Sequence, residues 1–193
     1  MNKKILSVGF DLDGVLLYNP ARIVRPLIAF LKKNFLKRNI NKFYYPKNKI
    51  EQFIWNILHK SSIWPAPGID QLLDLAKSRK IKVYIISARY EFLKKDFEFW
   101  VKKIDPDHLF TDYFYNDKNE QPLLYKEKMV KELGLDIFVE DNWDIVAHLG
   151  DKLKVRSEKF KVFWIYNILD RNIKYQYKYP SLKKVVEAIK LEL

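Results

Sequence analysis

Two aspartates with a single residue between them, Asp11 and Asp13, lie inside the otherwise apolar run "VGFDLDGVLL". An ionised carboxylate in a dry core costs several kcal/mol unless it is paired or bound to metal, roughly the scale of a small protein's whole stability. The run therefore reads as a strand that ends here, its carboxyl end opening onto a site. In open α/β sheets ligands bind beyond the carboxyl ends of the strands. Reading only such ends along the chain gives Asp11 and Asp13, Ser87 with Arg89, Asp112, Glu140 with Asp141, and Asn167. Two carboxylate clusters with a hydroxyl between them form a hard-oxygen set suited to Mg²⁺. Asp11, ionised and held against a cation, has the character of a carboxylate nucleophile. Asp13 stands where it can exchange a proton with a leaving oxygen or an attacking water.

The elements that must position these groups are legible from periodicity. Five β-rich runs cover Ile5 to Asp13, Ile81 to Ala88, Leu109 to Tyr115, Asp136 to Asp141 and Lys161 to Asn167. Between and after them, stretches such as "IDQLLDLAKSR", "YEFLKKDFEFWVKKI", "LLYKEKMVKELG" and "YPSLKKVVEAIKLEL" carry apolar residues at helical spacing. Strands alternating with helices predict a Rossmann-like parallel sheet with helices on both faces. One segment breaks the alternation. From Asn19 to about Trp64 no strand pattern appears, only two helical stretches, "NPARIVRPLIAFLKKNFLKRN" and "KIEQFIWNILHK". This predicts a small all-helical insertion over residues 19–64, with the core domain formed by 1–18 and 65–193.

Composition narrows the classes. Cysteine is absent from the 193 residues, which excludes disulfide frameworks and thiol chemistry. No uncharged apolar run would span a bilayer, and a cytoplasmic location is the default expectation. The net charge is +12, and +9 of it lies between Pro20 and Lys60, where ten basic residues face Glu51 alone. Such a segment suggests an anionic partner. His59, His108 and His148 are too scattered for a metal cluster, and Trp55, Trp64 and Trp100 read as core residues.

Four stretches in order resemble the motifs of the haloacid dehalogenase superfamily of phosphatases and phosphotransferases. They are "DLDGV", "VYIISAR" and, as the third and fourth together, "YKEKMVKELGLDIFVEDN". The resemblance implies that Asp11 attacks phosphorus and that Asp13 serves as general acid and then base. It implies that Ser87 holds a phosphoryl oxygen, and that Asp141 binds Mg²⁺ with Asp11 and the backbone carbonyl of Asp13. It assigns Lys126 to charge neutralisation, with Lys128 as a competitor; the "K…ELG" spacing of the deoxyribonucleotidase-like branch favours Lys126. Arg89 is a candidate for substrate contact or a structural ion pair, and Glu140 or Asp144 for a share of the metal through water.

The resulting expectation is a Mg²⁺-dependent phosphomonoester hydrolase working through an aspartyl phosphate on a small phosphorylated metabolite, a nucleoside monophosphate among the candidates. Phosphotransferase or mutase chemistry is an open alternative. So is a nucleic-acid-binding or end-processing role for the basic segment, whose aromatic residues (Phe43, Tyr44, Tyr45, Phe53, Trp55) could stack on a base.

Overall fold

The strand carrying the paired aspartates, β1 (Leu6–Phe10), is an inner strand of the sheet. The computed structural model describes residues 5–18, 45–59, 62, 64–154 and 159–193. After β1 come the two-residue β2 (Leu17–Tyr18), α1 (Lys49–His59), the two-residue β3 (Trp64–Pro65), α2 (Ile69–Lys77) and β4 (Ile81–Tyr90). Then follow α3 (Lys94–Ile104), β5 (Asp112–Asn116), α4 (Pro122–Glu132), β6 (Ile137–Glu140) and α5 (Trp143–Lys154). The chain closes with β7 (Lys161–Ile165), β8 (Lys178–Tyr179) and α6 (Leu182–Leu191). The order across the six-stranded sheet is β5-β4-β1-β6-β7-β8, and every pairing is parallel.

A sheet covered on both faces needs apolar residues on both, and the two-residue period of the strands divides them. Ile85 of β4, Val139 of β6 and Phe163 of β7 face one layer, with Leu72 of α2, Trp100 of α3 and Val185 of α6. Their neighbours in sequence, Ile86, Phe138 and Trp164, face the other, with Met129 of α4 and Val146 of α5. Gly9 of β1 lies under this second layer. A Cβ there would stand 2.5 Å from Leu135 Cδ1 and 2.9 Å from Phe138 Cδ2, so any larger residue would have to displace these side chains.

The five predicted strands are all present, with shifted ends. β1 stops at Phe10, which leaves Asp11 and Asp13 beyond the regular strand. Asp112 was expected at a carboxyl end; instead it opens β5, and Asn116 closes that strand. The cause is Asp105, whose carboxylate accepts the backbone N–H groups of Leu109 and Phe110 at 2.8 Å each and keeps them out of the ladder.

Three short strands have no counterpart in the periodicity. β2 and β3 pair antiparallel, and β8 adds an edge beside β7. Trp64, expected in the core, is instead about half exposed on β3, its ring stacked on that of Tyr18 at 5.5 Å between centroids. Trp100 is buried as expected. Of the predicted helical insertion, the second helix corresponds to α1, entered through Asn48, whose Oδ1 accepts the Glu51 N–H at 2.8 Å. The first helix lies outside the described residues, as do Phe43 and Tyr44.

Candidate active site

The carboxyl end of β1 is where the charged side chains meet. The Asp11 backbone N–H still donates to the Val139 carbonyl (2.9 Å), tying the residue to β6 as the strand ends. Three residues on, Gly14 turns the chain at φ +85°, a left-handed conformation that favours glycine, and its N–H donates to the Leu17 carbonyl at 2.9 Å. The turn keeps Asp11 and Asp13 at one end of the sheet. Both are buried, with 5% and 6% exposure.

Asp11 shares Lys126 with Glu140. The ammonium, on the buried face of α4, stands 3.0 Å from Asp11 Oδ1 and 2.5 Å from Glu140 Oε2. The other Glu140 oxygen accepts the backbone N–H groups of Asp141 (3.1 Å) and Asn142 (2.9 Å). Glu140 thus orients Lys126 and pins the loop that carries Asp141. Trp164 of β7 pins it from the other side, its Nε1–H donating to the Asp141 carbonyl at 3.1 Å.

Oxygens of Asp11, Glu140 and Asp141 come within 4.8 Å of one another, all three residues buried. Burial pushes the Asp11 carboxyl up to about 6; Lys126 draws it back, while Asp141 and Asp13 add to the rise. Glu140 is raised by burial in the same way, against the pull of Lys126. Lys126 keeps its proton firmly, because Asp11 and Glu140 outweigh the desolvation of its ammonium. Three buried carboxylates against one shared ammonium leave an excess of negative charge on hard oxygen donors. That donor set fits a small divalent cation.

Asp13 has a different partner. Arg89 forks onto it, Nε to Oδ2 and Nη2 to Oδ1, each at 2.8 Å, and the third guanidinium nitrogen, Nη1, is hydrogen-bonded to Asp96 of α3. The Ser62 hydroxyl also donates to Asp13 Oδ1, at 3.0 Å. Burial alone would lower the Arg89 pKa, but Asp13 and then Asp96 raise it above the ordinary value.

The remaining candidates separate. Ser87 is buried in β4 two residues past Ile85, which is in register with Phe10, so it stands level with the Asp11–Asp13 turn. Its Oγ accepts the Arg89 N–H at 3.3 Å. Lys128 faces outward and pairs with Glu120 at 3.0 Å. Asp144 is half-buried in the first turn of α5 and is not part of the carboxylate group. Asn167 caps a short 3₁₀ turn by accepting the Leu169 N–H at 3.2 Å. His148 pairs with Glu127 at 2.6 Å. Asp96, Trp164 and Ser62 were not among the sequence candidates; Trp164 and Ser62 act on residues distant in the chain, Asp96 on Arg89 seven residues before it, and no motif marks them.

No protein-family model and no curated protein matches the chain. Solved structures do. A protein from Thermotoga maritima assigned as a β-phosphoglucomutase is similar with a TM-score of 0.58 at 14% identity, over 97% of this chain and 100% of that one. CbbY from Rhodobacter sphaeroides, in complex with phosphate, gives 0.56 at 12% identity, over 94% and 96%. A haloacid dehalogenase-like family hydrolase from Xanthomonas campestris gives 0.54 at 14% identity, over 98% and 96%. The chain therefore has the haloacid dehalogenase-like α/β fold, with an acidic site just beyond the carboxyl end of β1. Among the described residues no helix is long and apolar enough to cross a membrane.

Proposed function

We propose that this protein is a Mg²⁺-dependent phosphomonoester hydrolase of the haloacid dehalogenase type. The observation that carries the reading is the buried group of Asp11, Glu140 and Asp141 with Lys126 on Asp11, set two residues from a second carboxylate at Asp13. In the first step an Asp11 oxygen bonds to phosphorus as the ester P–O bond breaks, and the leaving oxygen takes the proton of Asp13. In the second, water bonds to phosphorus as the Asp11–phosphorus bond breaks, and Asp13 takes the proton of that water. Lys126 offsets charge on Asp11 and the phosphoryl group, and Ser87 would hold a phosphoryl oxygen. Asp11, Asp141 and the Asp13 carbonyl would hold the cation, with Glu140 behind them. When bound, the cation supplies charge neutralisation for the transferring group.

The substrate class is a small phosphorylated metabolite. The Rhodobacter sphaeroides neighbour is described with phosphate and, as a mutant, with xylulose-(1,5)-bisphosphate. The Thermotoga maritima assignment supports transfer to a sugar hydroxyl as a second reading, since mutases share the aspartyl-phosphate step. None of the neighbours reported above is a nucleotidase. Nucleic-acid end processing depends on the basic segment, most of which lies outside the described residues; within it Tyr45 packs edge-on against Tyr90 at 4.9 Å, and Phe53 is exposed.

A screen of sugar phosphates, nucleoside monophosphates and phosphorylated oligonucleotide ends, with Mg²⁺ and with EDTA, tests the reading. Release of inorganic phosphate only with Mg²⁺ is the expected result. Undiminished hydrolysis after exhaustive chelation removes the metal from the mechanism, and an isomerised sugar phosphate without free phosphate identifies a mutase.

A further inference from the structure

We propose that Arg89 is the positioning residue of the acid–base step, clamping Asp13 in its working orientation, and that Asp96 anchors the clamp. The proposal rests on the phosphatase reading and goes beyond it, since it takes Arg89 out of substrate binding. The Arg89 side chain is wholly enclosed, and each of its three guanidinium nitrogens already faces a carboxylate oxygen. These contacts use three of its five N–H donors, and the enclosure of the side chain keeps a phosphate from the rest. The fork matches a carboxylate in plane and spacing, a fit that a lysine ammonium cannot reproduce.

The need for a clamp follows from the turn. Asp13 lies beyond the end of β1, so no strand ladder fixes its backbone on both sides, and its side chain has two rotatable bonds. Proton transfer requires hydrogen-bond reach of the leaving oxygen. With both Asp13 oxygens gripped, the carboxylate plane is set, and with it the direction along which a proton is exchanged. The guanidinium is in turn fixed from α3 through Asp96, whose side chain is 19% exposed. A bulge in the β4–β5 register between Ser87 and Tyr90 brings Arg89 into this place.

A positioning role has a signature that phosphate binding and a bystander ion pair lack. The help Asp13 gives in the first step depends on how badly the leaving oxygen needs a proton. Nitrophenolate leaves readily without one; an alkoxide does not. Rapid-quench measurement of phosphoenzyme formation from p-nitrophenyl phosphate and from a simple alkyl phosphate, for wild type and Arg89→Gln, reads the difference directly. Arg89→Gln is expected to lose at least about tenfold more rate on the alkyl ester than on the aryl ester, within the 10²–10⁴ scale of acid–base help, with KM for either moved by less than about threefold. Arg89→Lys should recover only part of the loss. Asp96→Asn, which keeps Arg89 in place and covers the case where the arginine variants fail to fold, should show the same leaving-group bias at roughly three- to tenfold. Equal losses on both esters with a raised KM make Arg89 a phosphate ligand and overturn the assignment; so does an Asp96→Asn or Arg89→Gln protein indistinguishable from wild type. A wild-type protein that forms no phosphoenzyme from either ester overturns the phosphatase reading and the assignment with it, a result that the variant ratios cannot mimic.

Discussion

Asp11 and Asp13 are separated by one residue, yet the two halves of the site around them are built on opposite plans. Around Asp11 three carboxylates gather, two of them on one ammonium, and burial lifts the Asp11 carboxyl to about 6. Around Asp13 a guanidinium meets two carboxylates in a fork. The first half is short of positive charge, which on the proposed phosphatase reading a cation would supply; the second is nearly balanced and holds its orientation by itself. Lysine suits the first as a compact charge two acids can share, and arginine suits the second because its planar fork fixes an angle.

The sharpest way to break this comparison is to neutralise each aspartate in turn. Asp11→Asn should reduce phosphatase turnover to the uncatalysed background and abolish any acid-stable phosphoenzyme. Asp13→Asn should slow turnover by about two to four powers of ten, the range of lost acid–base help. A phosphoenzyme trapped on Asp13 would exchange the two halves.

Next in size is the contrast between two lysines one helical half-turn apart. Lys126→Met should cost roughly 10²–10³ in kcat, the scale of one lost charge-stabilising contact. It should also cost about 3–5 kcal/mol of stability in urea unfolding, since it strands two buried carboxylates. Lys128→Met, at an exposed pair with Glu120, should leave kcat within about twofold and the urea midpoint unchanged within error.

The cation itself offers a third test, through pH. A raised Asp11 pKa means that its contribution to stability is present below the unfolded value near 4 and is lost as pH rises through about 6. Mg²⁺ binds the ionised form and restores what is lost. At pH 8 and about 100 times Kd, Mg²⁺ should therefore add roughly 2.7 kcal/mol, or about 5–10 °C in Tm, and at pH 5 less than half of that. A Mg²⁺ increment that is flat with pH would mean the cation sits elsewhere.

The smallest expected effect lies behind the metal. Trp164→Phe removes the donor to the Asp141 carbonyl. It should weaken Mg²⁺ activation by about tenfold, while the rate at saturating Mg²⁺ falls by less than about threefold.

The alternation of strands and helices, and the place where β1 must end, were readable because two charges in an apolar run admit few explanations. Strand ends were less so. Asp112 was read as a carboxyl end although it stands in the middle of "LFTDYFY", and only the Asp105 carboxylate, which takes two of the N–H groups, shows why pairing starts late. Trp64 was read as core on side-chain type alone; its strand is two residues long and too short to leave a period. The fork on Asp13 was invisible for another reason. Its partners lie 76 residues apart, and their meeting depends on the β1–β4 register and on the bulge after Ser87.

The strand order has a consequence for how the chain is made. β1 pairs with β4 through Leu6 and Ile81, and with β6 through Val8 and Ile137, partners 75 and 129 residues further along. At a synthesis rate of about 5–20 residues per second, β1 waits roughly 6–26 s for its second neighbour. Through that wait Val8, Phe10, Leu12, Val15, Leu16 and Leu17, each at most 1% exposed in the folded protein, lack the complete sheet that finally buries them. Between Ile5 and Tyr18 the chain carries two charges only, Asp11 and Asp13. On the nascent chain they do the work of gatekeepers, interrupting an apolar stretch that would otherwise be prone to pair with its like on neighbouring chains.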